Sequence, residues 1–346
     1  MSETVTIKRG TEIELEIESL AYGGMGLARI ENFVIFVKYA IPGQKVLARI
    51  YKKRKGYAEA QVLETLVESP NAVDVCCKHY WICSKIQSLS YDEQIKEKSS
   101  QVEDAFVRLG GFLNFKLDKV QKANLIYHYR NKMEFTFSPN RWVLESEPEG
   151  VDKSFALGLH IPGRFDKILD IHNCHIQPEI GNKILAAARE VCLANPELRP
   201  YDPRSHIGFL RFLMLRFGVN TGDLMVNVVT SYHDIDKLSP LTDLLLEKFP
   251  EITSLVNNVN TRKADVAFGE YETLLYGKPF IQEKIGDLTF EISANSFFQT
   301  NTTQGEVLYK EVEEALELRG DEIIYDLYCG TGTIGLYLSS SAKQVF

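Results

Sequence analysis

Over the first 66 residues apolar and polar positions alternate with a period of two, the spacing of half-buried strands. "EIELEIESL", "NFVIFVKYA", "QKVLARIYKK" and "YAEAQVLETL" are short runs of this kind, and "AYGGMGLARI" and "IPGQ" supply turns between them. Four or five short strands so punctuated predict a small β-barrel at 1–66. Pro70 closes that unit, and the period then lengthens. In "SYDEQIKEKSSQVEDAFVRLGGF" the apolar residues Ile95, Val102, Phe106 and Leu109 follow a helical spacing that Gly110 and Gly111 would stop. Beyond residue 126 the two periods mix. "YRNKMEFTFSP" and "DLMVNVVTS" read as strands, and "EIGNKILAAAREVCLAN" and "PLTDLLLEKFP" as amphipathic helices. The pattern divides the chain into a barrel at 1–66, a central α+β domain at 67–290 and a third unit at 291–346. That last unit holds "SFFQTNTTQGEVLYKEVEEALEL", which predicts a helix, then a closing strand, turn and helix.

Composition narrows the class. The 346 residues suit two or three domains at roughly 100–200 residues each. An apolar share of 45% and a charged share of 25% are those of a globular protein. No run approaches the roughly 18 consecutive apolar residues of a membrane helix, and "MSETVTIKRG" has no apolar signal core. The expectation is a cytoplasmic monomer with no membrane partner. The net charge of −8 speaks against a general nucleic-acid binder, whose footprint is basic. Charge can be local, however. Lys52, Lys53, Arg54 and Lys55 run between Tyr51 and Tyr57, either as a solvated hairpin tip or as a phosphate-contacting one.

The closing stretch, "DEIIYDLYCGTGTIGLYLSSSAKQVF", carries the most specific chemistry. A strand-like run, Ile323 to Leu327, feeds a turn in which Gly330, Gly332 and Gly335 fit G-x-G-x-x-G, and a helix-like run follows. Such glycines let the backbone approach a ligand closely. The pattern alone serves NAD, FAD or S-adenosylmethionine, or is only a tight turn. Asp326 discriminates among these. An anion beside a pyrophosphate costs Coulomb energy, whereas S-adenosylmethionine has no phosphate and carries a sulfonium cation. The methyl donor is therefore the favoured ligand.

"SANSFFQTN" at 293–301 followed by "DLYCGTGTIGL" at 326–336 resembles the RNA (uracil-5-)-methyltransferase family. The first stretch is similar to its "sFFQ.N" segment and the second to its "DLYCG.G" loop. "YGGMGLARIENFVIFVKYAIPGQKV" resembles its N-terminal TRAM domain, an OB-like barrel, and "YRNKMEFTF" and "RFLMLRFG" resemble strands of its central domain. The resemblance covers essentially the whole chain. It implies a multidomain α/β protein: an OB-like TRAM barrel, a central α+β RNA-binding domain and the start of a Rossmann-like methyltransferase domain. It also implies that Gln299 contacts S-adenosylmethionine and that Tyr328 and Thr333 line its pocket, beside Asp326, Gly330 and Gly332. Phe297 and Phe298 read as core, and Cys329 is not the family's nucleophile; small buried cysteines are usually inert.

The six cysteines are Cys76, Cys77, Cys83, Cys174, Cys192 and Cys329. Clustered cysteines in a cytoplasmic chain read as metal or redox groups before disulfides. Family members acting on ribosomal RNA carry a 4Fe-4S cluster on C-x5-C-G-G-C with a fourth Cys downstream. Cys77, Cys83 and Cys174 match three of those positions. The remaining one departs, since Ser84, Lys85 and Ile86 stand where the family has Gly, Gly, Cys. Cys76 is a substitute ligand, and packed thiols without metal are the alternative. Cys192, on an apolar helix face, reads as core.

By the same resemblance the substrate is RNA, with ribosomal 23S RNA the expected kind because of the TRAM segment and the cysteines. Lys52, Lys53, Arg54, Lys55 and Tyr57 on the barrel, with Arg130 and Lys132 in the central sheet, are the candidate RNA contacts. Phosphate contacts would give affinity without sequence choice, and an unstacked uridine is the expected target. The family's chemistry is covalent: a thiolate adds to carbon 6 of uracil, carbon 5 takes the methyl group, and a base removes the carbon 5 proton. Neither the family's "SCNP"-type nucleophile nor its late glutamate occurs, and only eleven residues follow Gly335. Both groups are expected beyond Phe346, so the sequence reads as truncated and this piece as inactive by itself. Two other readings stay open: a non-catalytic RNA-binding fragment, and an NAD-dependent oxidoreductase built on the glycine loop.

Overall fold

The computed structural model describes residues 7–264 and 266–346. The chain forms two compact units that divide between Lys122 and Ala123.

In the first unit the alternation becomes a six-stranded sheet of β1 (Glu12–Glu16), β2 (Ser19–Ala21), β3 (Met25–Ile30), β4 (Phe33–Lys38), β5 (Lys45–Lys53) and β6 (Tyr57–Val67). The strand order is β1-β5-β6-β4-β3-β2. Every second side chain turns inward, so Ile13, Leu15, Ile35, Val37, Val46, Ala48, Ile50, Ala58 and Ala60 share one core. Three register shifts between β5 and β6 curve the sheet, as bulges do. There are six strands rather than four or five, because the stretch after Ile17 forms the three-residue β2, which pairs with β3 across Tyr22–Gly24. Beyond the sheet come α1 (Tyr80–Cys83) and α2 (Tyr91–Asp104), which a single π turn extends to Leu109. Gly110 and Gly111 end it, as their position predicts.

The second unit is built on an eight-stranded mixed sheet. Its strands are β7 (Lys132–Ser138), β8 (Arg141–Trp142), β9 (Ala156–His160), β10 (Ile168–Asp170), β11 (Leu210–Phe217), β12 (Leu224–Thr230), β13 (Ser254–Val259) and β14 (Tyr271–Gly277), ordered β14-β13-β12-β11-β7-β9-β10-β8. Helices α3 (Glu179–Ala194) and α4 (Ile235–Lys248) pack against each other. All residues of β11, β12 and β13 are buried, the mark of strands covered on both faces. That burial includes two arginines of "LRFLMLRF". Arg211 donates to the carbonyls of Asn260, Arg262 and Ala264 at 2.6–2.8 Å and lies 4.4 Å from the Tyr201 ring centroid. Helix α4 starts five residues ahead of Pro240, on an Asp234 cap that accepts from Lys237 N at 3.0 Å. Pro240 cannot donate to the Asp236 carbonyl, and the Ser239 hydroxyl donates to it instead at 2.9 Å.

A hairpin of β15 (Phe280–Ile285) and β16 (Leu288–Ser293) leads to α5 (Thr302–Leu316). Residues 294–301 form a loop, and the helix begins only where Asn301 caps it, accepting from Gln304 N at 3.1 Å. The chain closes with β17 (Ile323–Ile324), α6 (Thr333–Leu338) and β18 (Gln344–Val345), a parallel pair with a helical crossover. The strand expected at Ile323–Leu327 is short, although its ladder runs on through Asp326 N to Phe346 O at 2.8 Å.

Cys192 lies buried on α3, and burial pushes its thiol up to about 12, from about 8.5 in an unfolded chain. Above the unfolded value the unfolded state has already lost the proton and the native state keeps it. Stability therefore falls as pH rises from about 8.5 toward 12, by up to about 1.4 kcal/mol per pH unit. Urea unfolding at pH 8 and pH 10 should show this loss, and Cys192→Ala should reduce it.

Candidate functional site

The glycine loop is shaped by two close approaches. Gly335 sits over the end of β17, where its N–H donates to Asp326 Oδ2 at 3.0 Å. A Cβ at 335 would meet that oxygen at 2.9 Å and Val345 Cγ1 at 3.2 Å. The third glycine thus lets α6 lie against the two strands. Gly330 and Gly332 have φ of 58° and 71°, a region glycine enters without steric cost. Nothing lies within 4 Å of where a Cβ of Gly330 would stand, so that side of the loop is open. Tyr328 also has positive φ, at 62°, and its ring is fully exposed. Such a conformation in a non-glycine residue costs on the order of 1–3 kcal/mol and concentrates at functional turns. Cys329 is exposed too, with its Sγ 3.9 Å from the Gly330 carbonyl oxygen.

The "SANSFFQTN" segment is brought to this loop. Thr331 Oγ1 donates to the Phe297 carbonyl at 3.2 Å. Phe298 enters a core with Ile281, Phe290 and Tyr309, on which Ile334 and Tyr337 of α6 also pack. The Tyr309 and Thr333 hydroxyls pair at 2.7 Å, so the Thr333 side chain is turned toward α5. Gln299 is half-buried and lies beside Gly305, where a Cβ would stand 3.4 Å from Gln299 Cβ, an ordinary contact distance. Phe297, expected in the core, stands 67% exposed. The alternation that buries Phe298 leaves its neighbour outside.

Buried polar groups fix the segment. Asn131 Nδ2 donates to the Gln299 carbonyl and to Thr302 Oγ1, each at 2.8 Å, and its own N–H donates to Thr300 O at 2.9 Å. Arg216 donates through Nε to Ala294 O at 3.2 Å and through Nη2 to Ser296 O. Desolvation pulls this guanidinium down to about 10, against the Coulomb pull of Glu134. Glu283, 1% exposed, accepts from Val219 N, Asn220 N, Lys284 N and Thr302 Oγ1 at 2.7–3.0 Å. Asn295 reaches Asn258 at 3.3 Å, which in turn donates to Asn227 at 3.1 Å.

In the first unit the basic run is the tip of the β5–β6 hairpin. Lys53, Arg54 and Lys55 are exposed. Lys52 pairs with Glu59 at 2.5 Å, and Glu59 also accepts from the Tyr51 hydroxyl at 2.9 Å. Those two hydrogen bonds, the Lys52 one foremost, hold Glu59 below the usual carboxylate range. The cations lean on rings: Lys53 lies 5.7 Å from the Phe33 centroid and Lys52 6.0 Å from that of Tyr57. In the second unit Arg130 Nε donates to Lys132 O at 3.0 Å, and Lys132 pairs with Glu134 at 2.5 Å. Arg130 and Lys132 are thus tied into local structure, while the hairpin tip points outward.

The iron–sulfur expectation gains no support. Among the described residues no group of three or more His, Cys, Asp or Glu side chains is placed to hold a metal ion. Cys76, Cys77 and Cys83 fall in the first unit and Cys174 in the second. Gln87 takes up the space beside the first two: its Oε1 accepts from Cys76 N at 3.0 Å and from the Cys76 and Cys77 thiols at 3.5 and 3.8 Å. Cys83 Sγ lies 3.9 Å from Tyr80 O, and Cys174 N donates to Asn182 Oδ1 at 2.9 Å.

Comparison with known proteins bears on this arrangement. The model of the TRAM domain matches residues 7–63. An uncharacterized RNA methyltransferase of Porphyromonas gingivalis is 39% identical over 341 residues, covering 96% of this chain and 73% of the relative. The chain belongs to this RNA methyltransferase family. A second relative, an uncharacterized RNA methyltransferase of Chlorobaculum tepidum, is 42% identical over 310 residues, covering 88% of this chain and 64% of its own length. The fold is that of the crystal structure of Pyrococcus abyssi tRNA (uracil-54, C5)-methyltransferase in complex with S-adenosyl-L-homocysteine. The TM-score is 0.70 at 24% identity, over 95% of this chain and 71% of the other.

Of the residues that hold the Gln299 segment, Asn131 and Arg216 lie in the stretches "YRNKMEFTF" and "RFLMLRFG" that carry the family resemblance, whereas Glu283 and Thr302 lie outside any such stretch. The available signal was a charged residue on a strand at Arg216 and Glu283, while Asn131 precedes β7 and Thr302 opens α5. Asn131→Ala removes the two side-chain hydrogen bonds to Gln299 O and Thr302 Oγ1, keeps the backbone bond to Thr300 O, and leaves the Gln299 carbonyl without its partner, at a cost of about 1–3 kcal/mol. Hydrogen exchange over 294–302 should speed up about tenfold or more, while β12 keeps its protection.

Proposed function

We propose that the chain carries the methyl-donor loop and RNA-binding platform of an S-adenosylmethionine-dependent uridine C5 methyltransferase. The observation that carries this reading is the convergence of the Gly330–Gly335 loop with the Phe297–Gln299 segment on one core. The open side of Gly330 gives a ligand room, and the Asp326 carboxylate suits a sulfonium better than a pyrophosphate. When bound, S-adenosylmethionine supplies an electrophilic methyl group. Gln299 is held by its backbone through Asn131 and offers its amide to the donor. Tyr328, exposed at the loop, offers its ring, whereas the Thr333 hydroxyl is engaged by Tyr309. Asp326 shapes the loop by accepting from Gly335 N. The 2.7 Å hydroxyl pair of Thr333 and Tyr309 fixes the start of α6. Addition of a thiolate to uracil carbon 6 is the proposed route to an enolate-like carbon 5. The reading assigns neither that thiolate nor the base to Cys329.

The proposed substrate is RNA, with ribosomal RNA favoured by the TRAM domain at 7–63. Exposed Lys53, Arg54 and Lys55 would meet phosphates, and Tyr57 a base.

Calorimetry with S-adenosylhomocysteine and with NADH tests the donor. Binding of the first and not of the second is expected, with about tenfold weaker binding in Gln299→Ala. The opposite preference would sink the reading. A Lys53→Gln, Arg54→Gln, Lys55→Gln triple variant should flatten the salt dependence of RNA binding. About 0.7 is lost from the log–log slope for each single-strand phosphate contact removed.

A further inference from the structure

At the far end of the central strands lies a cleft of about 650 Å³ within the second unit, a volume typical of ligand sites. Strand β11 separates it from the Gln299 segment. Arg216, at one end of β11, holds that segment, while Phe209 and Leu210 mark the other. Six residues of strand span about 20 Å.

The walls combine rings and cations. Phe209 and Tyr232 pack with centroids 4.9 Å apart, and Tyr232 is 44% exposed. Lys237 Nζ lies 5.5 Å and 5.8 Å from these two centroids. Arg199 and Lys263 complete the charged rim, and Glu197, which pairs with Lys237 at 3.1 Å, is the acid among them. Three cations against one carboxylate stand out on a chain with 39 basic and 47 acidic residues. An exposed ring backed by a second ring offers a base a face to stack on. Lysines and an arginine around it suit the phosphates on either side.

We propose that this cleft binds a nucleotide of single-stranded RNA, a stretch of the substrate separate from the residue that meets the methyl donor. Tyr232 stacks the base, and Lys237, Lys263 and Arg199 contact the backbone. The inference rests on the proposed RNA substrate and adds a second anchor on the other end of the sheet. It would let the protein choose RNAs by an unpaired segment away from the target.

The test uses the whole chain and a single-stranded oligoribonucleotide carrying 4-thiouridine. Photocrosslinks should map to the peptides with Phe209 and Tyr232. Tyr232→Ala should weaken binding about tenfold, the loss of one stacked base, and Tyr232→Phe should stay within about twofold. A Lys237→Gln, Lys263→Gln double variant should lower the salt slope by about 1.4, at about 0.7 per contact. Unchanged affinity for S-adenosylhomocysteine in each variant shows the fold intact. RNA binding that survives in the cleft variants but drops in the hairpin-tip triple variant overturns the cleft and leaves the proposed function standing. No RNA binding by the unaltered chain overturns both. Uridine monophosphate bound in the cleft as tightly as the oligonucleotide would make it a mononucleotide site and overturn the strand assignment.

Discussion

A buried carboxylate organises the second unit. Glu283 is 1% exposed and sits on β15, where removing a charge from water costs several kcal/mol unless hydrogen bonds replace it. Four donors do so, and their origins matter. Val219 and Asn220 belong to the turn between β11 and β12, Lys284 to the hairpin, and Thr302 to the start of α5. Asn131, at the entrance to β7, shares Thr302 and adds the Gln299 carbonyl. Sheet, hairpin, helix and loop are thus tied at one point. Such a knot cannot loosen one strand at a time, because each lost donor leaves charge behind in a dry place. Precision at Gln299 follows from this knot more than from the loop's own sequence.

The sequence was most legible where local physics decides. Alternation over "EIELEIESL" gave strands because each step of two residues turns a side chain inward. The Gly110–Gly111 pair at the end of an apolar period read as a helix stop, although single glycines such as Gly181 and Gly305 lie inside helices. Gly330 and Gly332 read as a tight turn from glycine's freedom at positive φ. Long-range pairing was less legible. The start of α4 ahead of Pro240 depends on Asp234 as a cap and on Ser239 as a replacement donor, neither of which shows in hydrophobic period. Asn131 reaches Thr302 across 171 residues, Arg216 reaches Ala294 and Ser296 across 78 and 80, and Glu283 reaches Val219 across 64, pairings that no local pattern announces. The cysteines read as a ligand set only through the resemblance; in the structure Gln87 stands beside Cys76 and Cys77 and hydrogen-bonds to them.

The third glycine links shape to ligand choice. Gly335 lies so close to Asp326 that a methyl group would collide with the carboxylate at 2.9 Å. The same contact orients the acid at the root of the loop, where Gly335 N donates to it. One interaction therefore closes the strand–helix joint and places negative charge beside the loop. A pyrophosphate would meet that charge at a Coulomb cost, and a sulfonium would gain from it. Under the proposed donor assignment, packing and donor preference would share this one contact, so a substitution at 326 that preserved the hydrogen bond would separate them.

Strand direction divides the labour of the second unit. Because β11 and β12 are antiparallel and β12 and β13 parallel, the ends of β12 and β13 meet the beginning of β11. Ser231, Thr261 and Phe209 consequently converge on the cleft, while Arg216 at the opposite end of β11 reaches Ala294 and Ser296. A rigid, doubly covered strand of this kind sets the spacing between its two ends, and side chains adjust only at the margins. An RNA held at both ends would be measured against that length. With the proposed RNA substrate, that length would set the distance between the anchor nucleotide in the cleft and the one that meets the methyl donor, without reading the sequence between them.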